Sequence, residues 1–369
     1  MLLPISIPVL CLSLAPSQAA GSVFDHVSVP LGALPLRVSV ASLDPGQAED
    51  VTLLVEVPGA HELRTFGWFQ GSVRSQVKTD LKDFNFFPEV PNFELADLNG
   101  DGFLDIGFSS ILDPSQFFLG NGDLSFGGGS FLPSAGGNQS DVGFVDIDGD
   151  GFLDSVLLVE DGGWFLDCGL NNGAGTQFNM GSCFAFAPGT HLSGGCLLFA
   201  DVEGNGQTST FVTGGTGLAR TNWPGGPPTD ELILGGLFSD VLKADLDGVN
   251  GLDLVVCEPS QHRIQVLLND GTGAFPAPQI YAVGREPANL TVGDLNSDGI
   301  LDLAIADRVG NRAYVLCGNG GGRFLPCGDV PVGQSPVDIA AGDVDGDGDL
   351  DLVAACAGDE TLSFLLNSL

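Results

Sequence analysis

The hydrophobic residues of the chain occur in short runs, and turn-forming residues separate each run from the next. Residues 303–306 form one apolar run. Residues 263–268 form another, which the Gly-rich segment 269–273 follows, and a further strand is predicted to begin near Phe275. Runs of this length between Gly, Asn and Asp are typical of β-strands. Helical periodicity of useful length is absent, so the pattern predicts an all-β fold.

A nine-residue acidic segment recurs in front of many of these runs. Asp or Asn occupies its positions 1, 3 and 5, Gly position 6 and Asp position 9. Two eroded copies begin at Asp201 and Asp245, with Ser209 at position 9 of the first and Val249 at position 5 of the second. The six copies begin 44 to 55 residues apart. The four intact copies are residues 97–105, 146–154, 294–302 and 343–351.

A second landmark reveals a seventh repeat. A Phe, a Gly and a Pro precede the acidic segment, and the Pro lies seven residues before position 1. At the N-terminal end this frame leads to a degenerate segment, residues 42–50, in which Ser42 and Gly46 replace ligands. The three occurrences of the frame are Phe275-Gly284-Pro287, Phe324-Gly333-Pro336 and Phe24-Gly32-Pro35.

Each repeat is long enough for four strands, which is the blade of a β-propeller. We therefore predict a seven-bladed propeller over residues 20–369, with four-stranded blades. Asn269 follows Asp253 by 16 residues, as Asn367 follows Asp351, so the last repeat contains three strands. Residues 24–31 would supply its fourth strand and close the ring. An open solenoid would instead leave two exposed sheet edges.

The acidic segments supply only hard oxygen ligands, which suit Ca²⁺ with its six to eight oxygens, and Gly allows the required bend. Mg²⁺ would prefer a tighter octahedral set, and the segments contain no His or Cys for zinc. One such segment is often a solvated turn, but four in one frame predict calcium. An EF-hand is excluded because position 12 is occupied by the strand residues Phe108, Leu157, Ile305 and Ala354.

Composition narrows the function. The chain has 47 acidic and 12 basic residues and a net charge of −35, which excludes a nucleic-acid binder. Its 43% hydrophobic content argues against a disordered acidic tail. Residues 1–19 are predicted to be an export signal, although their n-region lacks Lys and Arg, and no later segment is apolar enough to span a membrane.

Among the cysteines, two pairs flank Gly-rich turns and could each bridge neighbouring strands, or all could be buried thiols. The two pairs are Cys168 with Cys183 and Cys317 with Cys327.

These loops, and the Phe after each Gly-rich turn, resemble the FG-GAP/VCBS repeats of integrin α-chain heads and of many exported bacterial proteins. The resemblance covers nearly all of the predicted mature chain and implies one Ca²⁺ per loop. About four strong sites and up to three weak ones, at Ser42, Asp201 and Asp245, are expected. The implied side-chain ligands are Asp97, Asn99, Asp101, Asp105, Asp146, Asp148, Asp150, Asp154, Asp294, Asn296, Asp298, Asp302, Asp343, Asp345, Asp347 and Asp351, with the backbone carbonyls of Phe103, Phe152, Ile300 and Asp349.

The resemblance implies a secreted adhesion or binding module, extracellular or, in a bacterium, periplasmic or on the cell surface. We expect a monomer that binds an extracellular protein or glycan and is not an enzyme. The first alternative is a polysaccharide lyase or hydrolase, which needs a base and a cation near an acidic sugar. The four His and twelve Lys and Arg residues are scattered among the repeats. The second alternative is a structural spacer.

Overall fold

A computed structural model describes residues 24–368, except for 44–49, 58–59, 70–71, 82–91, 111–113, 135, 161–163, 174, 176, 181–183, 186–194, 215–216, 223–230 and 250. The predicted export signal at residues 1–19 lies outside the described residues and stays a prediction.

The described residues form seven antiparallel sheets, which are the seven predicted blades. One short 3-10 helix, Pro259–Gln261, is the helical element of this part of the chain. Blade 1 contains β2 (Leu34–Ala41), β3 (Asp50–Val57), β4 (Ala60–Phe69) and β5 (Ser72–Leu81). Blade 2 contains β6 (Phe93–Ala96), β7 (Asp105–Phe108), β8 (Gln116–Gly120) and β9 (Phe126–Phe131). Blade 3 contains β10 (Asn138–Val145), β11 (Asp154–Glu160), β12 (Trp164–Asn171), β13 (Phe178–Met180) and β14 (Phe184–Ala185).

The remaining blades follow the same order along the chain. Blade 4 contains β15 (Leu197–Ala200), β16 (Ser209–Gly214), β17 (Gly217–Asn222) and β18 (Glu231–Gly235). Blade 5 contains β19 (Asp240–Ala244), β20 (Asp253–Glu258), β21 (Arg263–Leu267) and β22 (Gln279–Ala282). Blade 6 contains β23 (Pro287–Gly293), β24 (Asp302–Asp307), β25 (Arg312–Gly318) and β26 (Phe324–Pro331). Blade 7 contains β27 (Pro336–Gly342), β28 (Asp351–Cys356), β29 (Thr361–Asn367) and β1 (Phe24–Pro30).

The N-terminal strand closes blade 7, as predicted. β1 pairs antiparallel with β29, from Phe24 opposite Asn367 to Pro30 opposite Thr361. A further bond from Leu31 N to Glu360 O, 2.9 Å long, continues the contact. This pairing joins the two ends of the described chain and covers the free edge of β29.

The core is divided among the seven interfaces between blades. Each of seven buried hydrophobic clusters draws its side chains from two neighbouring blades, including the pair formed by blades 7 and 1. First strands of neighbouring blades contact each other from β6 through β10, β15, β19, β23 and β27 to β2, which makes them the innermost strands. Apolar burial at every interface therefore stabilises the ring.

One predicted strand start is wrong, and one blade has a divided fourth strand. The fourth strand of blade 5 begins at Gln279 and not near Phe275, because the Phe275 ring instead packs edge-on against Phe211 of blade 4, with centroids 6.2 Å apart. In blade 3 the fourth strand consists of two short pieces, β13 and β14, which both pair with β12.

One of the two proposed cysteine bridges is present. Cys317 on β25 and Cys327 on β26 form a disulfide with Cα atoms 5.6 Å apart. Cys183 lies outside the described residues, so its pairing with Cys168 stays a prediction. None of the described helical segments is long and apolar enough to cross a membrane.

Candidate functional site

The acidic loops all join the first strand of a blade to its second strand. In the described loops, position 1 directly follows the first strand and position 9 begins the second. Two loops are incomplete, because residues 44–49 of the blade 1 loop and residue 250 of the blade 5 loop are not described. All predicted ligand residues of the four intact loops therefore lie at one end of the ring, one loop per blade.

The position 1 carboxylate organises each intact loop. In blade 2, Asp97 Oδ1 accepts a hydrogen bond from Gly100 N at 2.7 Å, and its Oδ2 accepts one from Gly102 N at 2.9 Å. Both glycines have positive φ, +73° and +87°, a region that L side chains rarely adopt. The sequence predicted this bend for position 6 alone. In blade 6, position 4 is Ser297, also with positive φ.

The position 5 carboxylates also accept bonds from within the loop. Each is bonded to the N–H of position 7, whose carbonyl was predicted to be a ligand. These bonds are 2.9 to 3.0 Å long and join Phe103 to Asp101, Phe152 to Asp150, Ile300 to Asp298, and Asp349 to Asp347.

The position 9 Asp connects the loop to the third strand. Asp351, which is fully buried, accepts Val344 N at 3.0 Å with Oδ2 and Asn367 N at 2.7 Å with Oδ1. Asp105, Asp154, Asp253 and Asp302 accept bonds at the same two places. A carboxylate oxygen has lone pairs beyond one such bond, so position 9 can still coordinate a cation.

Carboxylates converge in three of the loops, where one oxygen from each of three acids lies within 4.8 Å of the others. Two of these loops are predicted strong sites. The third, at Asp245, is a predicted weak site that lacks an acid at position 5 and still assembles three. The three clusters are Asp146 with Asp148 and Asp154, Asp343 with Asp345 and Asp347, and Asp245 with Asp247 and Asp253.

The remaining two intact loops have Asn at position 3. In blade 2, Asn99 Nδ2 donates to Asp101 Oδ2 at 2.9 Å, and in blade 6, Asn296 Oδ1 accepts Asp298 N at 3.0 Å. The amide and carboxylate groups of positions 3 and 5 are thus neighbours in blade 2, and in blade 6 the position 3 amide oxygen is bonded to the backbone of position 5.

Burial and this crowding of acids raise the proton affinity of the position 9 Asp. Burial, and then the nearby acids of the same loop, raise the pKa of Asp351 to about 7 and that of Asp302 to about 6, against hydrogen bonds that lower it. The pKa values of Asp105, Asp154 and Asp253 are raised for the same reasons. Crowded donors that are all oxygens fit a divalent cation such as Ca²⁺.

The blade 4 loop differs from the others. Its position 3 residue, Glu203, forms an ion pair with Arg220, with Oε1 and Nη1 3.2 Å apart. Position 9 is Ser209, which offers no carboxylate. A protein cation therefore neutralises the acid that would otherwise bind a metal in this loop.

Three asparagines each join the acidic loop of their own blade to the loop of the preceding blade. Asn367 Nδ2 donates to Leu350 O at 3.2 Å in its own blade and to Leu295 O at 2.8 Å in blade 6. Asn171 and Asn269 make the equivalent pairs of bonds. The 16-residue spacing from Asp253 to Asn269 and from Asp351 to Asn367 thus marks a bond between blades.

A second set of polar residues, not predicted from the sequence, lies on the innermost strands. Each blade contributes the residue five positions before position 1 of its acidic segment. In four blades a register shift at this point marks a β-bulge, which changes the direction of the side chain. This central ring consists of Arg37, Asn92, Asp141, Cys196, Asp240, Asn289 and Asp338.

The central ring bonds one blade to the next. Each of its three carboxylates accepts the backbone N–H that follows the ring residue of the next blade. The bonds join Leu197 N to Asp141 Oδ2 (2.6 Å), Leu290 N to Asp240 Oδ2 (3.1 Å) and Val38 N to Asp338 Oδ2 (2.9 Å).

Arg37 is the cation of the central ring. Its Nη1 lies 4.0 Å from Asp338 Oδ1. Burial opposes the charge of Arg37, but the carboxylates of Asp338, Asp240 and Asp141 raise its pKa. Burial raises the pKa of Asp240 to about 7 and that of Asp141 to about 6, although Arg37 lowers both.

A cleft of about 780 Å³ opens between blades 4, 5 and 6. Pro259–Gln261 and segment 284–286 border it, and both leave strands at the end opposite the acidic loops. Ser239, which precedes the ring residue Asp240, lies in its wall. The cleft therefore lies on the opposite face, beside the central ring.

His262 and Arg285 lie together at the rim of this cleft. His262 has a left-handed backbone, with φ of +58°, and its Nδ1 is hydrogen-bonded to Arg285 O. Because a carbonyl oxygen only accepts, Nδ1 carries the proton, which leaves Nε2 of a neutral ring as an acceptor. Asp307 accepts Arg285 N at 2.9 Å and Glu286 N at 2.8 Å, so this segment is fixed.

Two sequence matches fall in the C-terminal half. Residues 245–305 and 294–354 each match the FG-GAP-like repeat. The chain carries FG-GAP-like repeats. Each match begins at position 1 of an acidic segment and contains the next one, so the FG-GAP frame coincides with the repeat defined from the sequence. A comparison with curated proteins gives no match.

Solved structures share the fold of this propeller at low sequence identity. An Agrocybe aegerita lectin, whose structure concerns recognition of non-reducing terminal N-acetylglucosamine, has a TM-score of 0.54 and 17% identity, over 95% of this chain and 86% of the lectin. BBS1N, in complex with ARL6DN, has a TM-score of 0.62 and 12% identity, over 94% and 97%. The Bacillus licheniformis rhamnogalacturonan lyase has a TM-score of 0.52 and 13% identity, over 95% and 74%.

Proposed function

We propose that the chain is an exported FG-GAP propeller that is stabilised by Ca²⁺ and binds glycans. The observation that carries the calcium part is the convergence of three carboxylates within 4.8 Å in the loops of blades 3, 5 and 7. Bound Ca²⁺ would neutralise these acids and cross-link the two strands that each loop joins. The ligands would be the predicted acids of those loops, with Asp245, Asp247 and Asp253 added.

Calcium binding is tested with two substitutions that each remove the acid at loop position 3. Asp148→Ala removes a converging carboxylate, whereas Glu203→Ala removes an acid that is paired with Arg220. In calorimetric titration we expect Asp148→Ala to lose one site or weaken it at least about tenfold. Glu203→Ala should bind as the wild type does, and equal losses in both variants would contradict the assignment.

The glycan part is supported by the cleft on the opposite face and by the fold. The volume of the cleft is within the usual range for a small-ligand site, about 300 to 1,000 Å³. Two of the structurally similar proteins are a lectin and a polysaccharide lyase. A glycan array probed with and without chelator tests this part. Binding of a glycan series is expected, and no binding at any calcium concentration would refute it.

A lyase is the second candidate, because one observation favours it. His262, with Nε2 available as a base, and the cation Arg285 line the same cleft, and these are the two groups that lyase chemistry on an acidic sugar requires. Incubation with polygalacturonate, monitored by the ultraviolet absorbance of an unsaturated product, decides between the candidates. Activity that His262→Ala abolishes would establish the lyase, and binding without product would leave the binding module.

A further inference from the structure

Building on the proposed glycan-binding function, we propose that the cleft between blades 4, 5 and 6 binds a sugar that carries a carboxylate. Arg285 binds the carboxylate, and the exposed apolar side chains of the cleft pack against the face of the sugar ring. The ligand is thus a uronic or sialic acid residue within an acidic glycan.

The charge distribution points to an anionic group. A net charge of −35 repels anions from the surface as a whole. An available cation at the rim of a cleft therefore marks a local site for an anionic group. Four other arginines of the C-terminal half, Arg220, Arg263, Arg308 and Arg312, each form an ion pair with an acid. Arg285 is exposed and forms no ion pair with a described residue.

The acid nearest to Arg285 in sequence does not neutralise it. Glu286 also lines the cleft, but its Oε1 is paired with Arg308 Nη2. The backbone N–H groups of Arg285 and Glu286 are both bonded to the buried carboxylate of Asp307. The guanidinium is therefore presented from a fixed segment, which lowers the entropy lost on binding.

The apolar part of the cleft favours a sugar over an acidic peptide. Leu237 and Val309 are 55% and 50% exposed in the cleft, and Pro259 lies beside them. A pyranose has an apolar C–H face for such a wall and hydroxyls that Ser260 and His262 can bond. An extended acidic peptide would place further carboxylates on a surface that is already strongly negative.

The test uses calorimetric titration of the full chain at physiological salt. Trigalacturonate is the probe, and its fully methyl-esterified form is the matched neutral ligand. Arg285→Gln is compared with Arg323→Gln, because Arg323 is also exposed, forms no ion pair with a described residue and lies on the turn from β25 to β26, on the acidic-loop face. Sialyllactose is a second carboxylated probe, and tetraglutamate represents an acidic peptide.

We expect trigalacturonate or sialyllactose to bind, and the stronger of the two identifies the type of acid. Arg285→Gln should weaken this binding at least about tenfold, as expected for a lost charged hydrogen bond, and Arg323→Gln should change it less than about twofold. The methyl ester should bind wild type at least about tenfold more weakly than trigalacturonate does.

Three results would overturn the inference: equal weakening by the two arginine variants, equal binding of acid and ester, or Arg285-dependent binding of tetraglutamate as tight as that of the sugars. If neutral glycans bind on the array but neither carboxylated sugar does, the inference fails and the glycan-binding function stands. If no glycan binds at all, the proposed function itself fails.

Discussion

The seven residues of the central ring differ in chemistry but occupy one structural position. They include an arginine, a cysteine, two asparagines and three aspartates, so no residue type marks the position. The constant offset of five residues before each acidic segment would have revealed it. Composition could not, because most of these residues act by bonding to the next blade.

Arg37 balances the three ring carboxylates, so its removal should be costly. Arg37→Met leaves those acids without their partly buried cation, and we expect it to lower the free energy of unfolding by about 3 kcal/mol. Arg308→Met removes a surface partner of Glu286 and should cost less than about 1 kcal/mol. Denaturant unfolding measures both, and similar losses would contradict the role given to Arg37.

The ring carboxylates also predict a pH dependence. The folded-state pKa values of Asp240 and Asp141 are about 7 and about 6, whereas an unfolded Asp titrates near about 3.9. Between these values the folded state binds more protons than the unfolded state does. The stability that these groups contribute is therefore fully present below about pH 4 and is lost as the pH rises through about 6 to 7.

Asp240→Asn tests this directly, because the amide does not titrate. Unfolding free energies of wild type and variant are measured from about pH 5 to 8 at one calcium concentration. We expect the wild type to lose more stability than the variant over this range. Parallel curves would show that Asp240 does not titrate there.

At the scale of the element, the acidic loop was predictable because it is repeated. Four intact copies predicted the ligand positions and the strand that follows, and the loops lie between first and second strands as expected. The repeat did not predict that the position 9 Asp also holds the third strand. Nor did it predict that the degenerate loop at Asp245 assembles three acids while the loop at Asp201 pairs one acid with Arg220.

Asn367 links the loops of blades 6 and 7, and its side chain is buried. Asn367→Ala removes both side-chain bonds and leaves two carbonyls with a lost donor, so we expect a loss of about 2 kcal/mol in unfolding free energy. Asn319→Ala is the control, since Asn319 is exposed on a Gly-rich turn and should change stability by less than about 0.5 kcal/mol. Equal effects would show that the interblade bonds are unimportant.

For the whole molecule, seven blades and the split seventh blade were predictable from spacing alone. Exact strand starts were not, because Phe275 packs against the hydrophobic cluster between blades 4 and 5, and a single repeat does not encode this contact. The cleft on the opposite face was also unpredictable. It is built from turns of different blades whose sequences do not repeat.

Ring closure can be tested without metal. Deletion of residues 20–32 removes β1 and its buried Phe24 and Val29, and exposes the edge of β29 to other chains. We expect the shortened protein to aggregate or to be rapidly proteolysed. Deletion of residues 1–19 alone should leave a stable protein. A monomer with unchanged melting temperature after the longer deletion would contradict the closure by β1.

The most direct test of the calcium-stabilised propeller is its melting temperature in chelator, in Ca²⁺ and in Mg²⁺, measured by calorimetry. Each site that binds only the folded state adds about 2.7 kcal/mol when the free ion is at 100 times Kd. With several sites, EDTA should lower the melting temperature by many degrees, and Ca²⁺ should restore it more fully than Mg²⁺. A melting temperature that is the same in EDTA and in Ca²⁺ would contradict the account.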